Sequence, residues 1–491
     1  MKTLASLLLA LPLTAAIPAT PPYPLVSKRD APNGVLGMSL RKVVAPRDTA
    51  MGARRIAMMA GPETKTSQTS RVAVPPRQSL IDHNEYYLAD LAIGTPPQSV
   101  SLLVDTGGWV TWVNPDCTRA ARPADCAAVS MPGYNASLSK PPPVAVHDLD
   151  QVVVYGDYSM AVQIEGMSDV FTFGKDNSSH QVAQLPFGVA VDTVGLSTGI
   201  LSLGPDGNDG FNSAVSNYSV VSALAREGVI ASRVFSLAYG RGPAASAFSG
   251  EAVAPSQHVG SLVFGGVDRN QFRGPLGKTP ILPRDETVDG WRYWLSVTQM
   301  RHNAPGSKVN NGNYTKPRVI SAATPAGNAR YMADSGTTGI YVPRDAYDAV
   351  VAEMNLTRNP LRAEGFPDVD CTMANLTGSF SFTFAPARNA SNGTAGMTID
   401  VPYAALIHPE RNRLTNDTSK CFFALSSGGS AYDDGDIFPI LGVEFFKAAY
   451  AVFDWDNQEV SLGQGASCGE PDLVAIGSGP NAVPSITGNC K

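Results

Sequence analysis

The sequence predicts a mostly β protein built in two lobes, and three observations predict it. Short runs with the length and composition of strands recur along the chain, among them QVVVYGDYSM, VFSLAYG, GSLVFGG, SFSFTFA and AYAVFDW. Their β-branched and aromatic residues suit a pleated, half-buried surface. The 46 Gly and 38 Pro interrupt the chain too often for long helical repeats. Finally, 491 residues exceed what one compact core organises, and an Asp–hydroxyl–Gly triplet closes an apolar run once in each half: LLVDTGG at 102–108 and YMADSGTTG at 331–339. Two copies in matching contexts point to an internal duplication.

Residues 1–16, MKTLASLLLALPLTAA, have a basic start, a short apolar centre and a small-residue exit. They read as a secretory signal peptide, too short to span a membrane. Residues 17–80 form a Pro-rich leader with little periodicity, carrying ten Lys and Arg against three acids. It reads as a basic pro-segment, with dibasic cleavage sites after Arg29 and Arg55. From residue 81 onward the body carries a net charge of −14. A basic leader is attracted to such a body, and nucleic acid is not. The body divides into an N-terminal lobe at 81–275, a C-terminal lobe at 276–467 and a tail at 468–491. Helices are expected near 214–228 and at 344–354, where AVSNYSVVSALAREG and RDAYDAVVAEM interrupt the strand pattern.

Six cysteines are compatible with three disulfides in an oxidising compartment. Order along the chain favours the local pairs Cys117–Cys126, Cys371–Cys421 and Cys468–Cys490, among 15 possible connectivities. No spacing resembles a zinc site. Nine N-x-S/T sequons, at Asn135, Asn177, Asn217, Asn313, Asn355, Asn375, Asn389, Asn392 and Asn416, fit a secreted glycoprotein. The expectation is a soluble extracellular monomer with no membrane partner.

The two triplets carry the chemistry. A carboxylate at the end of a buried strand is costly unless hydrogen-bonded, and the adjacent glycine lets two such loops approach closely. Two carboxylates held together cannot both ionise readily, so their proton affinities split. One then serves as base and the other as acid, and together they can activate a water.

On these residues the chain resembles the pepsin-like aspartic proteases, most closely the secreted fungal type. AIGTPPQSVSLLVDTGG, QVVVYGDYS, STGILSLG, SALAREGVIASRVFSLAYG, GSLVFGGVD and FPILGVEFFKAAYAVFDWDNQEVSLG each resemble a family segment, in the family order, over about residues 85–466. The resemblance implies a bilobal β fold with an active-site cleft between the lobes. It implies an acid-active endopeptidase that is made as a zymogen, cuts protein or peptide substrates and needs no metal or organic cofactor. It makes Asp105 and Asp334 the catalytic pair. Thr106 and Ser335 would tie the two loops together, and Gly107 and Gly336 would permit their approach. Tyr155 resembles the tyrosine of the flap that closes over substrate, its hydroxyl meeting the indole N–H of Trp112. Asp157 on the flap, with Thr337 and Thr338 of the second loop, would face substrate.

Three positions depart from the family pattern. Gly108 stands where the family has Ser, whose hydroxyl donates to the first aspartate; retroviral relatives have Ala there. Tyr158 and Ser202 stand where glycine is usual. The two aspartates are also 229 positions apart, a wide spacing attributed to insertions near 240–258 and 303–328. Two other readings exist. GLSTG at 195–199 matches a serine-hydrolase elbow with Ser197 as nucleophile, which requires a helix directly afterwards. A catalytically weak or inactive binding protein on the same fold is the alternative that the departures raise.

Overall fold

A computed structural model of the chain describes residues 34–45, 81–82, 84–114, 133–155, 160–173, 180–194, 198–205, 218–240, 258–283, 292–305, 309–310, 313–314, 317–322, 329–358, 365–391, 393–409, 411–412, 421–427, 438–469 and 471–491. Residues 1–33, most of the rest of the basic leader, Cys117, Cys126, Asp157, Tyr158 and Ser197 lie outside them.

Strands dominate. The largest sheet has 15, and its centre contains a piece of the leader. Leu36–Ala45 pairs antiparallel with His258–Phe264 on one side and with Asn84–Ile93 on the other. Leu36, Met38 and Leu40 alternate and are buried, the period expected of a strand with one face on a core. Asn84–Ile93 pairs next with Gln98–Asp105, which runs parallel to Gly199–Ser202. In the other direction His258–Phe264 leads to Val234–Tyr239, then to Ala449–Asp454 and Glu459–Gly465. Strands of the two halves of the body therefore share one sheet.

A second sheet of eight strands is centred on Trp294–Asn303, which pairs with Pro317–Ala322, Ala329–Ala333 and Ser379–Phe384. Here Ile440–Leu441 runs parallel to Ala329–Ala333. Each half thus repeats one device: a strand ending in Asp–hydroxyl–Gly, braced by a short parallel strand from much later in the chain. One contiguous core, from Leu36 to Leu462, supports both sheets.

Helices form at Val220–Arg226 and Arg344–Met354. The first starts at Val220, where the side chain of Ser219 accepts from Ser222 N; residues 214–217 of its sequence pattern lie outside the described residues. Cys371–Cys421 and Cys468–Cys490 are disulfides. The tail is woven into the body: Leu473–Ala475 pairs with Gly266–Asp268, and Thr487–Asn489 pairs with Phe272–Pro280.

Candidate active site

Gln98–Asp105 is buried from Val100 onward, so the strand delivers its terminal carboxylate into the interior; Asp105 is 5% exposed and Asp334 7%. The turns that follow supply the compensating donors. Gly107 N and Gly108 N donate to Asp105 Oδ1 at 2.8 and 3.0 Å. Gly336 N donates to Asp334 Oδ1 at 2.9 Å, and the Thr337 hydroxyl donates to Asp334 Oδ2 at 2.6 Å. The glycines set how closely the turns meet. A Cβ on Gly107 would lie 2.5 Å from Asp334 Cγ, and one on Gly336 would lie 2.7 Å from Asp105 Cγ. Each loop presses its backbone against the other loop's carboxylate.

The loops are also cross-linked. Thr106 N donates to Ser335 Oγ at 3.1 Å, and Ser335 N donates to Thr106 Oγ1 at 2.9 Å. The two hydroxyls donate onward to Ala333 O and Val104 O, both at 2.9 Å. Both side chains are fully buried, and all four polar groups of the exchange are satisfied. Tyr239 reinforces the junction, a role sequence reasoning missed. Its hydroxyl sits 3.2 Å from Val104 O and 3.3 Å from Ser335 O, while its ring stacks on Tyr87 at 3.8 Å. Nothing in VFSLAYG distinguishes that tyrosine from a core aromatic; its position at a strand end is the only local signal.

The electrostatics follow from this packing. Burial pushes the Asp105 carboxyl well above the ordinary carboxylate range, and the neighbouring Asp334, which repels a second charge and shares a hydrogen bond with it, pushes it further. The Gly108 and Gly107 N–H groups pull the other way and do not cancel the rise. The arrangement favours one proton held between two carboxyls, a state able to act as acid and base at once.

The strand Gln151–Tyr155 pairs with Met160–Phe173, and Tyr155 lies opposite Met160. Trp112 Nε1 donates to Tyr155 Oη at 2.8 Å, and Trp112 is completely buried. Burial, followed by the nearby Asp105, raises the Tyr155 phenol, which therefore stays protonated. Asp157 falls in the four positions between Tyr155 and Met160, outside the described residues. Thr337 and Thr338 are half-buried beside Asp334. Gly108 abuts Asp105: a Cβ there would lie 2.6 Å from Asp105 Oδ2. Ser202 pairs with Asp105 across the parallel strands and is 3% exposed. The last residue of GLSTG opens a strand, Gly199–Ser202, not the helix that a nucleophile elbow needs. Among the described residues no group of three or more His, Cys, Asp or Glu is placed to hold a metal ion, and no helix is long and apolar enough to cross a membrane.

Paired, mutually packed aspartates on duplicated turns of a bilobal β fold form a candidate site of the kind an aspartic peptidase requires. Residues 86–465 match the family model described as eukaryotic aspartyl protease, and the chain belongs to that family. It is similar to a probable aspartic-type endopeptidase OPSB of Trichophyton verrucosum, 26% identical over 94% of this chain and 83% of that one. It is also similar to secreted aspartic protease 8 of Candida albicans, 25% identical over 79% of this chain and 77% of that one. The aspartic proteinase from Irpex lacteus shares the fold, with a TM-score of 0.53 and 20% identity over 79% of this chain and 95% of that one.

Proposed function

We propose that this peptidase is secreted and cleaves proteins internally at acidic pH, with Asp105 and Asp334 activating one water. The observation that carries the reading is the mutual approach of the two turns, in which each glycine leaves no room for a Cβ against the opposite carboxylate. Carboxylates brought together in this way share a proton in acid.

In the first step, water oxygen bonds to the scissile carbonyl carbon. The ionised carboxylate takes a proton from the water as the protonated carboxyl gives its own to the carbonyl oxygen. Asp105 is the member whose surroundings favour the proton. The resulting gem-diol collapses, the C–N bond breaks, and the nitrogen leaves with a proton supplied by the pair. Catalysis then rests on orientation and on donors fixed in advance around a buried charge. Tyr155, held by Trp112, and Asp157 on the flap contact substrate, as do Gly107, Gly336, Thr337 and Thr338. Residues 1–16 direct export, consistent with the secreted name of the Candida albicans relative. Residues 17–80 are a pro-segment of which Leu36–Ala45 is already part of the sheet.

The reading is tested with the processed protein and unstructured peptide substrates of mixed sequence. Cleavage that rises toward acid and disappears in Asp105→Asn supports it. Cleavage retained in that variant contradicts the role of the pair.

A further inference from the structure

The two halves of the site do not use their hydroxyls alike. In the second half the turn supplies one: Thr337 Oγ1 donates to Asp334 Oδ2 at 2.6 Å. The matching position of its bracing segment is Gly442, where a Cβ would lie 2.2 Å from Gly339 O and 2.3 Å from Thr337 O. A side chain on the brace is excluded there. In the first half the arrangement is reversed. The turn position matching Thr337 is Gly108, and the brace position matching Gly442 is Ser202.

The reversal is spatial as well as sequential. The point that a Cβ on Gly108 would occupy is 2.6 Å from Asp105 Oδ2 and 3.5 Å from Ser202 Oγ. Both oxygens therefore border the space a side chain at 108 would fill. Ser202 lies opposite Asp105 in the parallel pair, and its backbone is fixed by the bond from Ser202 N to Thr111 Oγ1 at 3.1 Å. Its hydroxyl is buried with no hydrogen-bond partner among the described residues, a costly state for a polar atom. Asp105 Oδ1 already accepts from Gly107 N and Gly108 N, and Oδ2 is the oxygen that faces the space beside Gly108.

We infer that Ser202 is a positioning residue for the first aspartate, its hydroxyl donating to Asp105 Oδ2, directly after a turn about its χ1 or through one water, in the role Thr337 fills for Asp334. The hydroxyl has moved from the turn to the brace, and the glycine has moved the other way. The inference rests on the catalytic reading of Asp105. It makes Gly108 and Ser202 one compensated exchange rather than two defects.

Ser202→Thr and Ser202→Val test it, since they share a shape and differ in the hydroxyl; Ser202→Ala covers the case where neither larger residue fits. The titratable groups facing Asp105 are Asp334, Tyr155 and Tyr239, and all three are unchanged in these variants. Carbon NMR of Asp-labelled protein, with the Asp105 signal assigned by its loss in Asp105→Asn, follows the titration without requiring turnover. The expected result is that Val and Ala raise the Asp105 titration midpoint by about one unit, while Thr leaves it near the native value. In turnover, kcat should fall about tenfold in Val and Ala with KM unchanged and the alkaline limb of the pH profile moved upward. Identical titration and kcat in Thr, Val and Ala would overturn the inference. An inactive native protein that still shows the Val and Ala shift would sink the peptidase mechanism and leave the contact standing.

Discussion

Gly107 and Asp334 come from opposite halves of the chain and meet so closely that a single methyl group on the glycine would lie 2.5 Å from the Asp334 carboxyl carbon. Turning the Asp334 carboxyl aside to relieve the conflict would disturb the hydrogen bonds it accepts from Gly336 N and Thr337 Oγ1. Gly107→Ala should therefore fold and lose at least about 100-fold in kcat, the scale of an ångström-level displacement at a reacting centre. The variant's kcat beside its melting temperature is the check; activity within threefold of native would contradict the geometry.

The Thr106–Ser335 exchange predicts a stability effect at the same junction. Thr106→Val keeps the shape and strands the Ser335 N–H, which now donates to Thr106 Oγ1 at 2.9 Å. A buried donor without a partner costs about 1–3 kcal/mol. Urea unfolding should show that loss, with kcat reduced as the loops loosen. Tyr239→Phe, which leaves two carbonyl oxygens short of one donor, should cost less.

Three buried aspartates, Asp105, Asp268 and Asp454, are all raised by burial first. The folded protein binds their protons more tightly than the unfolded chain, whose carboxyls titrate near 3.9. Their stabilising contribution is complete below that value and is lost as pH rises through the folded values. Asp150 and Asp370 are lowered, by hydrogen bonds from Gly166 and Thr372 first, but they are exposed and contribute little. The melting temperature should fall between mildly acidic and neutral pH, and Asp105→Asn should flatten part of that slope. A melting temperature that climbs toward neutrality would contradict the assignment.

Gly108→Ser would add a donor beside Asp105 and lower its proton affinity, so the pH optimum should move down while the fold is kept. The new Cβ would lie 2.6 Å from Asp105 Oδ2, so the carboxyl must turn aside and kcat should drop severalfold. An unchanged or raised optimum counts against the prediction.

Reduction of the disulfides should be felt unequally. Cys371–Cys421 spans 50 positions and Cys468–Cys490 spans 22. Loop-closure entropy gives about 4 and about 3 kcal/mol respectively. Paired Cys→Ser variants compared by urea unfolding would show the difference, and the second should loosen the tail's pairing with Phe272–Pro280.

Much of the site was legible in the sequence because its determinants are local. Asp105 and Asp334 stand out as acids closing apolar runs, their glycines follow at once, and Trp112 and Tyr155 sit in recognisable strand segments. What escaped depends on distant partners. Leu36–Ala45 looks like part of a basic, Pro-rich leader because its pairing strands lie about 40–50 and more than 200 positions away. Tyr239 becomes significant only when Val104 and Ser335 arrive on either side of its hydroxyl. Glu444, fully buried, accepts from Gly339 N; within FPILGVEFF it resembles an ordinary helix acid. Ser202 was visible as a departure, but its relation to Gly108 needed the geometry.

The most direct test of the central claim is the cleavage of a mixed peptide library by the processed protein from strongly acidic to neutral pH, with pepstatin and Asp334→Asn as controls. Internal cleavage should be confined to acid and abolished by both controls. A folded, fully processed protein that cleaves nothing, or that cleaves in the Asp334→Asn form, would contradict it.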